Sequence, residues 1–201
     1  MKNQGMAKIL TSKNSTKKEE IIKNAAALFK SKSYSAASMR DLAESLGVEA
    51  PSLYNHIGSK SELLQAICFK TGNKFTAEIA LIENGDLPLL LKIEAIIRFH
   101  ISMMLENFDE VYVANHEWMH LQEPHLADFL AIRRSYEKSL LQLVESGIAS
   151  GVLMNTNPYV AVLTILSAVR GLEFWQRNKK NVSPRELEDD MVNHLLNGIV
   201  K

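Results

Sequence analysis

The sequence predicts an all-α protein, because nearly every periodic stretch repeats with the helical period and strand patterns are scarce. Helix starts are also unusually well marked. At several sites a serine or threonine is followed three residues later by an acidic residue, which is the capping-box pattern. These pairs are Thr16/Glu19, Ser38/Asp41, Ser59/Glu62 and Ser183/Glu186. Two starts also place a capping residue before proline, Asn157-Pro158 and Ser183-Pro184.

About nine helices follow from these starts and from the residues that interrupt them. The helices are predicted at 16–32, 38–45, 50–56, 59–84, 88–106, 109–121, 125–150, 157–177 and 183–199. The breaks between them lie at Ser33-Tyr34, Gly47, Gly58, Gly85-Asp86, Pro124, Gly151 and Asn181.

Composition indicates a globular chain, and the charges indicate that its N-terminal part is basic and the remainder acidic. The chain has 201 residues, 46% of them hydrophobic, which is enough for one large domain or two small ones. The zero net charge hides a split: residues 1–62 carry ten Lys/Arg against six Asp/Glu, and 63–201 carry thirteen against seventeen. A basic end favours a nucleic-acid partner. No apolar run predicts a membrane span, and the single Cys68 fits a reducing cytoplasm.

The segment 38–64 predicts two short helices joined by a tight turn, with a third helix after them. The small side chain of Ala43 allows the two helices to cross closely, and Gly47 can take the left-handed conformation that ends a helix. Val48 then turns into the core. Such a unit places its second helix in the major groove of DNA. The apolar cluster expected to support it comprises Ala25, Leu28, Phe29, Leu42, Leu53 and Ile57.

The run 21–64 resembles the DNA-binding head of TetR-type transcriptional repressors. The pattern L-Y-x-H at 53–56, followed by S-K-x-E-L-L at 59–64, is characteristic of that head. The resemblance implies a flexible basic tail at 1–15, a helix-turn-helix domain at 16–62 and a ligand-binding and dimerisation domain at 63–201. It also implies a homodimer on near-palindromic double-stranded DNA, a small-molecule effector, no cofactor and no enzymatic activity.

The resemblance further assigns DNA contacts to individual residues. Phosphates would be bound by Tyr54 and Lys60 and at the start of the second helix by Ser38 and Arg40. Base edges or the groove wall would meet Ala50, Pro51, Ser52, Asn55 and His56.

Three residues depart from the family pattern. Ser33 replaces a glycine before Tyr34, and Ile57 replaces an aromatic residue; both are expected to be packing variants. Glu49 stands where a small hydroxylic cap is usual, and its carboxylate would face DNA phosphates. Glu49 can still cap the helix or accept a hydrogen bond from a cytosine amino group. Both roles remain open, and so does a simple solvated helix face.

The helix expected at 157–177 is apolar nearly all round, so it should be buried on two sides. Small residues form one of its stripes and bulky residues the other, and the last helix adds a third. In TetR-like proteins the last two long helices pair with their two-fold mates. Both stripes could instead be intrachain core. The interface residues predicted are Ala161, Thr164, Ala168, Gly171, Trp175, Leu187, Met191 and Leu195.

Soft, bulky side chains concentrate in the helices expected at 88–106 and 109–121. They suit an adaptable ligand pocket and suit an ordinary core equally well. The stretch from HEWMHL onward is similar to the acyl-CoA-responsive branch of the family, which implies a small hydrophobic or acyl-CoA-type effector. An alternative is constitutive DNA binding without an effector. The candidate pocket residues are Phe99, Met103, Met104, Phe108, Trp118, His120, Phe129 and Tyr136.

One motif indicates a different class of protein. The segment from His116 to His120 matches H-E-x-x-H, the zinc metalloprotease pattern. On a helix, His116 and His120 would share one face, with Glu117 as general base. Nothing nearby predicts the strand or substrate cleft that a protease needs. A zinc-dependent hydrolase is therefore the rival hypothesis, and a polar pocket wall or surface is the preferred one.

Overall fold

The computed structural model describes the backbone of residues 3–177 and 182–200, and in these ranges the side chains after Thr16, except that of Arg177. It confirms the all-α prediction. The described residues form ten α-helices and a 3₁₀ turn at Trp118–His120. The helices are α1 (Asn3–Lys32), α2 (Met39–Ser45), α3 (Ala50–Tyr54), α4 (Lys60–Asn84), α5 (Leu89–Glu106), α6 (Phe108–His116), α7 (His125–Ala149), α8 (Pro158–Arg170), α9 (Leu172–Arg177) and α10 (Pro184–Asn197).

Most predicted helix starts are correct. Ser38 and Ser183 form reciprocal capping boxes, and the side chain of Asn157 accepts two backbone N–H groups at the start of α8. Thr16 is an exception, because α1 begins at Asn3 and Thr16 lies inside it. The run Met-Ala-Lys-Ile-Leu at 6–10 favours a helix before Thr16, although most of the residues at 11–15 are poor helix formers. The tail predicted at 1–15 lies partly outside the described residues.

Two predicted helices are each divided. The helix expected at 157–177 breaks at Gly171, a residue of low helix propensity that ends α8 before α9 begins. The helix expected at 109–121 ends at His116. The chain then tightens into the 3₁₀ turn, in which the His120 N–H donates to the Glu117 carbonyl over 3.0 Å.

The described chain forms two compact units. The head unit comprises Met1–Thr71 and Asp109–Phe129, and the body unit comprises Gly72–Phe108 and Leu130–Lys201. The head unit is therefore larger than the expected domain at 16–62, because α6 and the start of α7 join it. Within the body unit, α5 packs against α8, α9 and α10. No helix in the described residues is both long and apolar enough to cross a membrane.

The head unit has a core built from several helices and from the 109–129 segment. Five of the six residues expected there are buried, and Leu28 is partly buried against them. Phe129 and Leu121 from the later segment join the same cluster. The side chains that fill the centre of the head include Ala25, Phe29, Leu42, Leu53, Ile57, Leu63, Leu64 and Ile67.

Candidate DNA-binding site

The turn between α2 and α3 has the predicted geometry. Gly47 lies at φ +64°, in the left-handed region, and the Val48 N–H donates to the Ala43 carbonyl over 3.0 Å. Leu53 is only 1% exposed and anchors α3 in the head core. One face of α3 is therefore fixed to the core, and the opposite face points away from it.

The start of α2 is held by a polar network. The Asp41 N–H donates to the Ser38 hydroxyl over 3.1 Å, and the Ser38 N–H donates back to the Asp41 carboxylate over 2.8 Å. Hydrogen bonds from Lys32 and then from Ser38 hold the pKa of Asp41 well below its usual range. The Ser38 hydroxyl also donates to Asp41, so in this arrangement it has no proton left for a phosphate. Ser38 is a helix cap here rather than a phosphate donor.

Lys60 fastens the loop between α1 and α2. Its ammonium donates to the carbonyls of Tyr34 and Ala37, both over 2.8 Å, and lies 4.4 Å from the centre of the Tyr34 ring. An ammonium has three donors, so one N–H remains for a phosphate. The sequence predicted only the phosphate contact, because the two carbonyl acceptors lie more than twenty residues away in the chain.

The outer face of α3 carries several of the predicted DNA-contacting residues. Tyr54 is 52% exposed, and Pro51 and Asn55 are also exposed. Ser52 and His56 are half-buried and line one cleft. The same cleft is lined by Lys17, Glu20, Ile21, Leu46, Val48 and Leu53. Ala50 is half-buried, and Arg40 is exposed on α2.

Glu49 occupies the N-cap position of α3 without capping it. Its side chain is exposed and makes no capping hydrogen bond; only its carbonyl accepts, from the Ser52 N–H over 2.9 Å. Of the two roles that the sequence left open, helix capping is absent from this structure. The carboxylate is therefore available to a partner outside the chain.

Ser33 is a conformational departure rather than the expected packing variant. It lies at φ +70°, a backbone conformation that glycine adopts readily and in which other residues are strained. Its side chain is exposed, so packing does not explain the position. The left-handed turn between α1 and α2 therefore gives a physical reason for the glycine that the family pattern has at this position.

Five of the eight candidate pocket residues lie in the body unit. Met103 and Met104 are buried in its core, whereas Phe99 and Phe108 are half-buried. The fifth, Tyr136, makes a buried hydrogen bond of 2.5 Å with His100. The ring of Phe75 lies against Phe99, His100 and Tyr136, at centroid distances of 5.3, 4.8 and 5.7 Å.

His100 is a buried polar residue that the sequence did not place among the candidate pocket residues. Burial, and then the charge of Arg170, lower its pKa to about 4, and burial raises the pKa of Tyr136. The pair is therefore neutral at pH 7. The helical period shows only that His100 shares a face with apolar residues. It does not predict the hydrogen bond with Tyr136.

The other three candidate pocket residues lie in the head unit. Phe129 is buried and packs against Phe69 at a centroid distance of 5.9 Å, and Trp118 packs on the same core. His120 is exposed and stacks on Tyr34, with centroids 5.2 Å apart and an interplanar angle of 27°. These three candidate pocket residues therefore pack against other residues of the head unit.

The H-E-x-x-H segment lacks the helix that its metal-binding interpretation requires. Because α6 ends at His116, His116 and His120 do not lie one turn apart on a single α-helix. Glu117 is buried and lies 3.4 Å from the His120 ring nitrogen. In the part of the chain that the structure describes, no group of three His, Cys, Asp or Glu side chains is arranged to hold a metal ion.

The predicted interface stripe is only partly accessible in the single chain. Ala161 is buried in its own body unit, because it lies on the face of α8 with Val162 and Ile165. Thr164 is exposed. The remaining predicted residues, Ala168, Gly171, Trp175, Leu187, Met191 and Leu195, are half-buried. The exposed apolar residues of α8 and α9 are not among the predicted interface residues. They are Tyr159, Val160, Leu163 and Phe174.

Two family models match this chain. The model of bacterial regulatory proteins of the tetR family matches residues 21–67, and the model of the tetracyclin repressor-like C-terminal domain matches residues 87–199. Together they cover the helix-turn-helix and most of the body unit. Among curated proteins, none matches the sequence of this chain.

Solved structures of tetR-family regulators share the fold. The ketosteroid transcriptional regulator KstR2 of Mycobacterium tuberculosis superposes with a TM-score of 0.84 at 19% identity, over 92% of this chain and 95% of that one. PfmR from Thermus thermophilus gives 0.75 at 24% identity, over 88% and 97%. AibR, in complex with isovaleryl coenzyme A and operator DNA, gives 0.77 at 22% identity, over 89% and 97%. The chain belongs to the tetR family of bacterial regulatory proteins and is a ligand-responsive, DNA-binding regulator of transcription.

Proposed function

We propose that this protein is a repressor that binds near-palindromic operator DNA as a homodimer and leaves it when a small hydrophobic or acyl-CoA-type effector binds. The observation that carries the proposal is the exposed face of α3, which Leu53 anchors from behind. Two such helices about one helical turn of DNA apart, roughly 34–36 Å, would enter successive major grooves.

The DNA contacts divide into phosphate and base contacts. Arg40, Tyr54 and the third N–H of Lys60 bind phosphates, since all three present hydrogen-bond donors. Pro51 and Asn55 are exposed on α3 and meet base edges or the groove wall. The half-buried residues Ala50, Ser52 and His56 complete that wall.

Tyr54→Phe tests the phosphate contact. It removes one hydroxyl from an exposed side chain, so the affinity for a promoter fragment should fall roughly tenfold at low salt while the protein stays folded. Fluorescence anisotropy measures the affinity. Ser135→Ala is the control, because it removes a hydroxyl from an exposed residue of the body unit that lies outside the proposed interfaces. Equal affinity for both variants would contradict the assignment.

We propose that the exposed apolar residues of α8 and α9 form the dimer interface. Leu163 is 49% exposed beside Tyr159 and Val160 on α8, and such a run favours a partner surface. Leu163→Arg should yield monomers in sedimentation equilibrium. Leu81→Arg, at an exposed leucine of α4, should leave the dimer intact. A monomeric wild type would remove the dimer from the proposal.

The effector class is proposed from the interior of the body unit. Met103 and Met104 are buried there, and the rings of Phe99 and Tyr136 lie against Phe75; such side chains adapt to hydrophobic ligands. A structural neighbour, AibR, was solved with isovaleryl coenzyme A. Isovaleryl coenzyme A at one hundred times its Kd should stabilise the folded protein by about 2.7 kcal/mol, measurable as a rise in Tm.

Release requires that the effector bind the DNA-incompetent state more tightly. Isovaleryl coenzyme A should therefore lower the operator affinity, whereas coenzyme A alone should not. If longer acyl-CoAs and other apolar ligands also fail, constitutive DNA binding becomes the better hypothesis.

We further propose that the protein acts in the cytoplasm, where operator DNA lies, without a cofactor or catalytic activity. Zinc bound to the purified protein would revive the hydrolase hypothesis.

A further inference from the structure

We infer that Glu49 reads a cytosine in the operator: its carboxylate accepts a hydrogen bond from the cytosine amino group, and its charge weakens binding to other sequences. This inference rests on the proposed role of α3 as the helix that enters the major groove. It adds a specificity-determining residue that the general architecture of the head does not identify.

The Glu49 carboxylate makes no hydrogen bond or ion pair with the residues whose side chains the structure describes. Serine, asparagine and serine cap α2, α8 and α10 with side-chain hydrogen bonds, whereas Glu49 makes none at α3. A capping side chain at this position would stabilise the helix by about 1 kcal/mol. The chain therefore keeps a residue at position 49 that does not improve the stability of α3.

The backbone around Glu49 is nevertheless firmly placed. Gly47 takes its left-handed conformation two residues earlier, and the Val48 N–H is bonded to Ala43. Pro51 follows within the first turn of α3 and fixes its own φ. The Glu49 side chain therefore starts from a defined point at the N-terminal end of α3. Residues at that end of the second helix of a helix-turn-helix contact base edges.

The electrostatics of DNA decide which atoms a carboxylate can meet. Phosphates repel it, and Glu49 is the only Asp, Glu, Lys or Arg residue in 46–56. In the major groove, cytosine presents a donor, its N4 amino group, and glutamate is the side chain that accepts from it. Adenine also has an amino donor, but its N7 acceptor lies alongside and repels a carboxylate. Cytosine is therefore the base that a carboxylate favours.

The test begins by selecting operators from a random duplex library with the purified full-length protein. Anisotropy then compares wild type and Glu49→Gln on the selected operator, on its single-pair variants and on a scrambled duplex. In wild type, changing one cytosine pair in each half-site should weaken binding roughly tenfold or more. Glu49→Gln should lose that preference and bind the scrambled duplex more tightly.

Glu44→Gln is the matched control, because Glu44 is an exposed glutamate at the end of α2 and the variant removes the same charge. It should keep the cytosine preference. Glu49→Ser, which introduces a capping hydroxyl, should also lose the preference while folding normally. A cytosine preference that survives in Glu49→Gln would overturn the inference and leave the DNA-binding proposal intact. A wild type that selects no sequence would overturn both.

Discussion

The two helices of the helix-turn-helix begin in opposite ways. Ser38 and Asp41 close a capping box at the start of α2, and Lys32 joins it. At the start of α3, Glu49 makes no capping bond and lies exposed. The difference indicates a division of roles: Ser38 and Asp41 at the start of α2 stabilise the head, whereas the polar side chains at the exposed face of α3 are left for DNA.

Lys60 shows why this division is not visible from a motif. The family resemblance assigns it to a phosphate, yet its ammonium holds the two carbonyls of the loop that leads into α2. It therefore belongs first to the supporting part of the head. Substituting it should change the stability of the protein as well as its affinity for DNA.

Removing the Lys60 ammonium should have the largest effect. Lys60→Ala deletes two hydrogen bonds from a charged donor, so we expect the free energy of unfolding to fall by about 2–3 kcal/mol. Urea denaturation measures this loss. Lys23→Ala, at an exposed lysine of α1, should change it by less than about 0.5 kcal/mol. Equal stability of the two variants would show that Lys60 does not fasten the loop.

Truncating the two N-cap residues tests the comparison itself. Ser38→Ala removes a capping hydroxyl and should lower the free energy of unfolding by about 1 kcal/mol. Glu49→Ala removes no capping bond and should change it by less than about 0.5 kcal/mol. Similar losses in denaturation experiments would mean that α2 and α3 do not differ in this way.

Relieving the strained turn before α2 should stabilise the head. Ser33→Gly places glycine at φ +70° and should raise the free energy of unfolding by about 0.5–1 kcal/mol. Ala36→Gly is the control, because Ala36 is exposed in the same loop without a positive φ, so the substitution adds only flexibility. The free energy of unfolding of this control variant should fall. A loss of stability in both variants would argue against strain at Ser33.

The acid titration of Asp41 should report on the α2 cap. Lys32 and Ser38 hold its pKa below the ordinary value, so its stabilising contribution is present above that value and is lost only as the pH falls through the lowered pKa. In Ser38→Ala the pKa of Asp41 should move back toward the ordinary range. An NMR titration of the Asp41 carboxyl measures both values, and an unchanged pKa would remove Ser38 as a cause.

The head was the more predictable region, because its signals are local. Capping pairs predicted the starts of α2 and α4, and the spacing of Ala43, Gly47 and Val48 predicted the turn. The strained turn at Ser33 and the loop contacts of Lys60 were missed for a common reason. A backbone conformation and a pair of distant carbonyl acceptors leave no trace in a residue pattern.

The body was harder to predict, because its features depend on tertiary contacts. The buried His100–Tyr136 pair joins residues 36 positions apart, which no helical period relates. Continuous hydrophobicity hid the break at Gly171. It also hid which stripe of α8 is exposed: Leu163 is accessible, whereas Ala161 is buried in its own unit.

Measuring the stability and the operator affinity of Ser38→Ala and Asn55→Ala side by side separates the two proposed roles. Ser38→Ala should lower the free energy of unfolding by about 1 kcal/mol and leave the affinity of the folded protein within about twofold. Asn55→Ala, at an exposed residue of α3, should keep the stability and lose roughly tenfold in affinity. The reverse pattern, with Ser38→Ala weakening DNA binding and Asn55→Ala only weakening the fold, would contradict the division between a supporting α2 and a DNA-reading α3.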